Sequence, residues 1–225
     1  MHRHAGMPDT TRMIILQPVL EILATDGFDL WPVADPGGYD LLPLSGALSP
    51  DQVGTAVMRL ADCNDAEPGR RERAQGPVDP LGHFLHGLLT SGTLWAPGGL
   101  RATDTATGVV LSPGCCNGLD ERHDWREVID GEGWADFGHS PSPLAERIGD
   151  VVRLTVDTEQ PNSPTIEVPL ADLPSLLADA ERDLAAFLRL ATTWSAVHIP
   201  DFAAPVCAAL GRALAMPAPV VAPNQ

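Results

Sequence analysis

The stretch 144–168, LAERIGDVVRLTVDTEQPNSPTIEV, decides the fold class. Its middle part, Val151 to Asp157, alternates apolar and polar side chains, which is typical of a strand with one buried face. The Gly149-Asp150 pair predicts a tight turn back to Leu144–Ile148, and the EQPNSP loop leads on to Thr165–Val168. The stretch therefore predicts three consecutive antiparallel strands.

Helical periodicity is clearest just after these strands. From Asp172 to about Trp194 apolar side chains recur at helical spacing, and they are Leu173, Leu176, Leu177, Ala180, Leu184, Phe187 and Leu188. Four further helices are predicted after Ser49-Pro50-Asp51-Gln52, after Asp79-Pro80, over Leu119 to Asp130 and over Asp201 to Leu214. Five helices are thus expected to flank the strands.

Two more hairpins are predicted nearer the N-terminus. Gly99–Thr103 is expected to pair with Gly108–Leu111 around the DTAT turn, and Phe28–Val33 with Tyr39–Leu44. Because the hairpins and helices do not alternate as regular strand–helix–strand units, the predicted fold class is α+β, with an antiparallel sheet built from hairpins.

The domain organisation follows from length and composition. A chain of 225 residues fits one large domain better than two, and we expect that domain to span residues 13–214. Residues 1–12 and 215–225 lack any periodicity and are predicted to be disordered tails. The polar, turn-rich stretch 64–78 is predicted to be an exposed loop between two helices.

The charge of the chain excludes some partners. Thirty acidic residues oppose 14 basic ones, all arginines, so the formal net charge is −16. Such a field repels nucleic-acid phosphates and anionic membrane surfaces, and neither partner is expected. The absence of lysine from the sequence also excludes lysine Schiff-base chemistry and a P-loop.

The expected cellular location of the protein, and the expectation that it has no cofactor, follow from targeting segments and motifs that the sequence lacks. The apolar stretch Met13–Leu23 is interrupted by Gln17, Pro18 and Glu21 and has no cleavage pattern, and no stretch reaches the roughly 18 apolar residues that span a bilayer. Four cysteines are few for a secreted scaffold, so we expect a cytoplasmic protein with reduced thiols. Common catalytic and cofactor motifs are missing from the sequence, so no cofactor is predicted and an enzyme is not favoured.

The segment Ser112–Pro143 is richest in reactive side chains. Cys115, Cys116, His123 and His139 could converge with Asp124 on a metal ion, because zinc accepts sulfur, nitrogen and oxygen ligands. The alternative is purely structural: small residues close a turn, and a helix anchored by Trp125 follows. A second, weaker metal hypothesis places His83 and His86 on one helix face, one turn after Asp79.

An acidic face is predicted in the same region. Between Gly118 and Gln160, 11 acidic residues oppose four arginines, a local net charge of −7. Complementary potential speeds and orients docking, so this face is suited to a basic protein partner. The predicted binding residues are Asp124, Trp125, Glu127, Trp134 and Asp136.

A family resemblance rests on three short motifs. Cys115-Cys116, Gly118-Leu119 with Trp125, and the run Gly138 to Pro143 (GHSPSP) resemble a pattern in uncharacterised proteins of high-GC Gram-positive bacteria. With the strand 151–157 and the helix from Asp172, the resemblance spans about half of the chain. It implies a single-domain cytoplasmic protein, in some cases of the immunity-protein type, and it transfers no functional residue.

Three functions are compatible with the sequence. The first is an interaction domain, most concretely an immunity-like protein that masks a basic partner. The second is a metal-dependent hydrolase or redox protein that uses Cys115, Cys116, His123 and His139. The third is a small-molecule binding or regulatory domain, which requires a deep apolar pocket.

Overall fold

Eight strands and five α-helices form in the residues that the computed structural model describes, 12–24, 26–65 and 79–217. The strands are β1 (Ile14–Ile22), β2 (Asp40–Pro43), β3 (Gly98–Asp104), β4 (Val110–Leu111), β5 (Trp134–Asp136), β6 (Leu144–Ile148), β7 (Val151–Thr155) and β8 (Thr165–Pro169). The helices are α1 (Pro50–Asp62), α2 (Pro80–Thr90), α3 (Trp125–Asp130), α4 (Leu173–His198) and α5 (Ala203–Ala213). Short 3₁₀ turns at Leu119–Asp124 and Pro200–Phe202 lead into α3 and α5.

The five predicted helices are confirmed, with small changes at their ends. Ser49 and Gln52 form the predicted capping box of α1, and Asp79 caps α2 by accepting hydrogen bonds from the backbone of Leu81 and Gly82. The predicted helix over Leu119 to Asp130 begins as a 3₁₀ turn. The predicted tails 1–12 and 215–225 and the predicted loop 64–78 lie mostly outside the described residues.

The strands form two four-stranded antiparallel sheets, in the orders β2-β1-β3-β4 and β5-β6-β7-β8. The α+β class with antiparallel pairing is therefore confirmed, and the strands are divided between two sheets where a single one was expected. In the second sheet, Ile148 pairs with Val151 across the predicted Gly149-Asp150 turn, and Leu154 pairs with Ile166. The predicted alternation holds here, since Val152 and Leu154 are buried.

The predicted hairpin of Phe28–Val33 with Tyr39–Leu44 is wrong. Of the second half, Asp40–Pro43 forms strand β2, but this strand pairs with β1 and not with Phe28–Val33. The first half forms no strand, because α1 holds the chain at its end. The N–H of Ala34, the residue after Val33, donates to the Thr55 hydroxyl, and that hydroxyl donates to the Ala34 carbonyl. Trp31 is likewise held by α1, since its indole Nε1 donates to the carbonyl of Gly54 at 2.9 Å.

The strand β1 was not predicted, although it is central to the first sheet. It pairs with β2 on one side and with β3 on the other. Its sequence includes Pro18, which has no N–H to donate to a neighbouring strand and normally argues against a central strand. The backbone adapts at this point, where the Pro18 carbonyl accepts from the N–H of Leu44 at 2.8 Å.

Two hydrophobic cores fill the described part of the chain. The first lies among α1, α2, α5 and one half of α4 and contains the aromatic cluster Phe28, Trp31, Phe84 and Trp194. The second lies between the second sheet and strands β3 and β4 of the first, and it contains Trp125 and Phe137. Helix α4 enters both, with Leu184 and Phe187 in the first core and Leu173 and Ala180 in the second. Strand β1 does the same through Leu20 and Leu16, so the two cores share a helix and a strand.

Helix α4 is the longest of the helices within 12–24, 26–65 and 79–217. None of these helices combines the length and the apolar character that a membrane crossing requires.

Two helical glycines allow a test of the packing between Trp31 and α1. A Cβ at Gly54 would meet the Pro32 carbonyl oxygen at 2.2 Å, whereas a Cβ at Gly211 in α5 would meet nothing within 4 Å. Gly54→Ala should therefore destabilise the protein by about 1–3 kcal/mol through overpacking. Gly211→Ala should stabilise it by about 0.5–1 kcal/mol through helix propensity. Urea denaturation measures both, and a stabilised Gly54→Ala variant would contradict the packing described.

Candidate functional site

The segment that was predicted to hold the site connects the two sheets. After β4 the chain runs through residues 112–118 into the 3₁₀ turn and α3, and it enters the second sheet at β5. Residues 137–143 then lead from β5 to β6. The two connecting stretches touch each other, because Gly114 donates a backbone hydrogen bond to the Phe137 carbonyl at 2.9 Å. Every side chain of the predicted site lies on this junction.

Trp125 belongs to the core, and its predicted place on a binding face needs correction. Its side chain is only 1% exposed, and its ring stacks on Phe137 with centroids 4.5 Å apart. The amphipathic pattern of α3 explains this, since Val128, three residues later, is fully buried on the same side. The ring therefore anchors the segment and is not available to a partner.

The other four predicted binding residues do come together. They line one groove of about 350 Å³, whose wall is made of Glu121, Asp124, Glu127, Glu132, Trp134, Ala135 and Asp136. Trp134 exposes 48% of its surface there. Sequence reasoning missed Glu121 and Glu132 as site residues; both belong to the acidic run, but a charge run alone does not tell which of its members face one another.

The described lining of this acidic groove includes no basic side chain. Arg122, which follows Glu121 in sequence, points inward: it is 4% exposed and donates from Nε to Glu181 at 2.8 Å. Its Nη1 donates to the carbonyls of Leu119 and Leu214, both at 2.7 Å. Arg147 similarly donates to the carbonyl of Ile129. Arg122 and Arg147 therefore bond to backbone carbonyls or to α4. They neutralise the carboxylates of the groove less than the number of arginines between Gly118 and Gln160 indicates.

The neighbouring carboxylates contribute, after burial, to a raised pKa of Glu121. Burial raises the pKa of Glu121, and a hydrogen bond with the backbone of Gly118 opposes that rise. The neighbouring charges of Asp120, Asp124 and Asp136 raise the pKa further. A positive group placed in the groove would relieve this repulsion.

A second cluster forms at the cysteine pair. Cys115, Cys116 and His139 are all exposed, and their potential ligand atoms lie within 4.8 Å of one another. The two Sγ atoms are 3.2 Å apart. His123, the fourth predicted ligand, is not part of this group, so the structure brings together three of the four residues.

This trio is the only group of three or more Cys, His, Asp or Glu within the described residues whose ligand atoms are close enough for one ion. The Asp79, His83 and His86 hypothesis is therefore not supported by the geometry, and Asp79 is engaged in capping α2. The carboxylates of the acidic groove likewise do not converge on a single point, although they share one cavity.

The backbone fixes the position of the cysteine pair. Cys115 donates to the His139 carbonyl at 2.7 Å, and the N–H of His139 donates to the Cys115 carbonyl at 3.2 Å. Gly114 fits closely against the opposite stretch, where a Cβ would meet the Pro141 carbonyl oxygen at 2.2 Å. The expectation that small residues close this turn is therefore also met.

The free thiols differ in their environments. The hydrogen bond with Cys116, burial and the charge of Glu21 raise the pKa of Cys115. Burial raises the pKa of Cys63 to about 11, and that thiol also points at the carbonyls of Leu60 and Trp95. Both thiols are thus protonated at neutral pH, which does not favour an activated nucleophile.

Comparison with known proteins gives no further guide, since no family model, no curated protein and no solved structure matches this chain. The groove, the cysteine cluster and their surroundings are therefore the features that bear on function. The resemblance to uncharacterised proteins of high-GC Gram-positive bacteria stays a prediction.

Replacing Glu121 tests the crowding of charge in the groove. Because the folded state binds a proton at Glu121 more tightly than the unfolded state, its carboxylate destabilises the fold above the raised pKa and ceases to do so below the ordinary value. Glu121→Gln should therefore be more stable than the wild type at pH 7, by about 0.3 kcal/mol because solvent screens the effect. The gain should vanish near pH 3, as measured by denaturation across pH. A variant that is less stable at pH 7, or a gain that persists at pH 3, would contradict the assignment.

Proposed function

We propose that this chain is a non-enzymatic interaction domain whose acidic groove binds a basic protein partner. The observation that carries the proposal is the composition of the groove: five carboxylates surround the half-exposed Trp134, and the described lining includes no arginine. The net charge of −16 adds a long-range attraction for such a partner.

The groove is suited to an arginine side chain of the partner. A guanidinium group donates up to five hydrogen bonds in a fixed plane, which suits Asp124, Glu127 and Asp136 around one cavity. It can also stack on the exposed ring of Trp134, where a cation–π contact is worth about 0.5–2 kcal/mol. The combination of an aromatic ring and several carboxylates favours arginine over a simple inorganic cation.

A bound metal ion explains the groove less well. Calcium needs six to eight oxygen ligands that converge within about 2.6 Å of one centre. Among the described residues the carboxylates of the groove do not form such a group. Distributed charge of this kind matches a partner that presents several basic groups over a surface.

The more specific form of the proposal is an immunity-like protein that masks a basic toxin. Its support is the small size of the chain, its strong acidity and the resemblance of its Cys115-to-Pro143 motifs to uncharacterised proteins of high-GC Gram-positive bacteria, some of which are of the immunity type. An acidic protein of this kind would bind a cationic surface rapidly, because complementary fields increase the association rate.

Two pairs of substitutions with equal charge change test the proposal. Asp124→Asn/Asp136→Asn removes two charges from the groove, whereas Asp29→Asn/Asp201→Asn removes two exposed charges that do not line it. The probe is an oligoarginine peptide, and binding is followed by titration calorimetry and by tryptophan fluorescence at physiological salt.

The groove pair should weaken binding by about tenfold or more, since hydrogen bonds to charged groups contribute about 1.5–3 kcal/mol. The control pair should weaken it by less than about twofold, because exposed charges are screened beyond about 8 Å. Trp134→Ala should also weaken binding and remove the fluorescence change. Equal losses in both pairs would show that the peptide responds only to overall charge, and the groove would then not be the binding site.

A further inference from the structure

We propose that Cys115, Cys116 and His139 form a binding site for one thiophilic metal ion of the zinc class. The three ligand atoms converge on the exposed junction between the two sheets. The site is independent of the acidic groove, whose lining does not include these three residues. It therefore adds a second binding property to the chain.

The distances are close to those that a tetrahedral ion requires. With Zn–S bonds of about 2.3 Å and Zn–N bonds of about 2.0–2.1 Å, neighbouring ligand atoms lie about 3.5–3.8 Å apart. The two Sγ atoms are at 3.2 Å, and all three ligand atoms are within 4.8 Å of one another. Small side-chain rotations close the difference, and they are free to occur because all three residues are exposed.

The backbone conformation of Cys116 brings the sulfurs together. In an extended chain, consecutive side chains point to opposite faces, so neighbouring cysteines would point apart. Cys116 instead has a φ of +68°, in the left-handed region. That conformation costs a residue with a Cβ about 1–2 kcal/mol. As a result, both thiols face the same side, with their Sγ atoms 3.2 Å apart. Strained backbone conformations of this kind are found at ligand-binding sites, where they place the ligating groups.

His139 is placed by a separate device. The reciprocal backbone hydrogen bonds between Cys115 and His139 hold two stretches side by side that are 24 residues apart in sequence. Close packing at Gly114 and the left-handed φ of +96° at Gly138 allow this approach. The imidazole is therefore held near the thiols by main-chain contacts, and the site does not depend on flexible side chains alone.

The ligand set selects the class of ion. Two sulfurs and one imidazole nitrogen suit zinc and similar thiophilic ions, whereas magnesium and calcium require oxygen ligands. On binding, two S–H bonds break, two metal–sulfur bonds form, and two protons are released to solvent. Three protein ligands leave one position for water or for a group of a partner protein.

A disulfide between the two cysteines is less compatible with this backbone. Disulfide-linked residues usually have Cα atoms about 4.4–6.8 Å apart, whereas consecutive Cα atoms across a trans peptide are about 3.8 Å apart. An ion that bridges the sulfurs does not require this distortion. A bound ion would also fasten residues 112–118, which leave the first sheet, to residues 137–143 of the second.

The test uses the full chain, reduced and free of metal, with Zn²⁺ as the probe. Affinity and stoichiometry are measured by competition with a chromophoric chelator, and Cd²⁺ binding is followed by thiolate charge-transfer absorption. The site variants are Cys115→Ser, Cys116→Ser and His139→Asn. Cys63→Ser and Cys207→Ser are controls for the other thiols, and His2→Asn/His4→Asn controls for binding by the N-terminal histidines.

The wild type should bind one Zn²⁺ per chain, and each site variant should lose affinity by more than about 100-fold, beyond the roughly 10–100-fold loss typical of an outer-shell residue. The three controls should bind like the wild type. Zinc at 100 times its dissociation constant should raise the Tm of the wild type by roughly 5 °C, and should not raise that of Cys115→Ser.

Three results would overturn the proposal. One is no stoichiometric binding to the reduced wild type. The second is unchanged affinity in Cys115→Ser or His139→Asn, checked as folded by circular dichroism. The third is a loss of binding in His2→Asn/His4→Asn, which would place the ion at the N-terminus.

Discussion

The packing of α4 across both hydrophobic cores is the interaction on which the rest of this structure depends. One half of the helix contributes Leu184 and Phe187 to the first core, and the other half contributes Leu173 and Ala180 to the second. The adjacent strand β1 is shared in the same way. Because each buried side chain of this size contributes about 1.5–3 kcal/mol, neither core can lose the helix without a large loss of stability. The shared helix and strand therefore predict that the two sheets unfold as one cooperative unit.

Both candidate sites depend on this unit, since they lie where the chain passes from one sheet to the other. The stacked rings of Trp125 and Phe137 fix α3 and β5 to the second core, and the acidic groove lies between these elements. Arg122 ties the same segment to α4 through Glu181 and to the C-terminal end of α5 through the Leu214 carbonyl. The cysteine pair is held by backbone bonds to the stretch that follows Phe137. The junction is thus held by buried rings and hydrogen bonds, and it carries the acidic groove and the cysteine cluster at separate positions.

Sequence patterns predicted the parts of this architecture that are locally encoded. The strands within 144–168 and helix α4 follow from alternation and helical periodicity, and the cap of α1 follows from Ser49 and Gln52. Strand β1 was missed because Pro18 interrupts its pattern, and only pairing on both sides stabilises it as a strand. The candidate sites were likewise predicted only in part. The acidic run is visible in the sequence, but the burial of Arg122 and the pairing of Cys115 with His139 depend on contacts between segments that are distant in sequence.

Hydrogen exchange in a Leu184→Ala variant tests most directly whether the two cores are one unit. Leu184 is fully buried in the first core, and its truncation should cost about 2–5 kcal/mol. If the cores unfold together, the free energy of exchange of the most protected amides of β7, in the second sheet, should fall by the same amount as that of α1. Unchanged protection of β7 beside weakened protection of α1 would contradict the account, because the second sheet would then be stable without the first core.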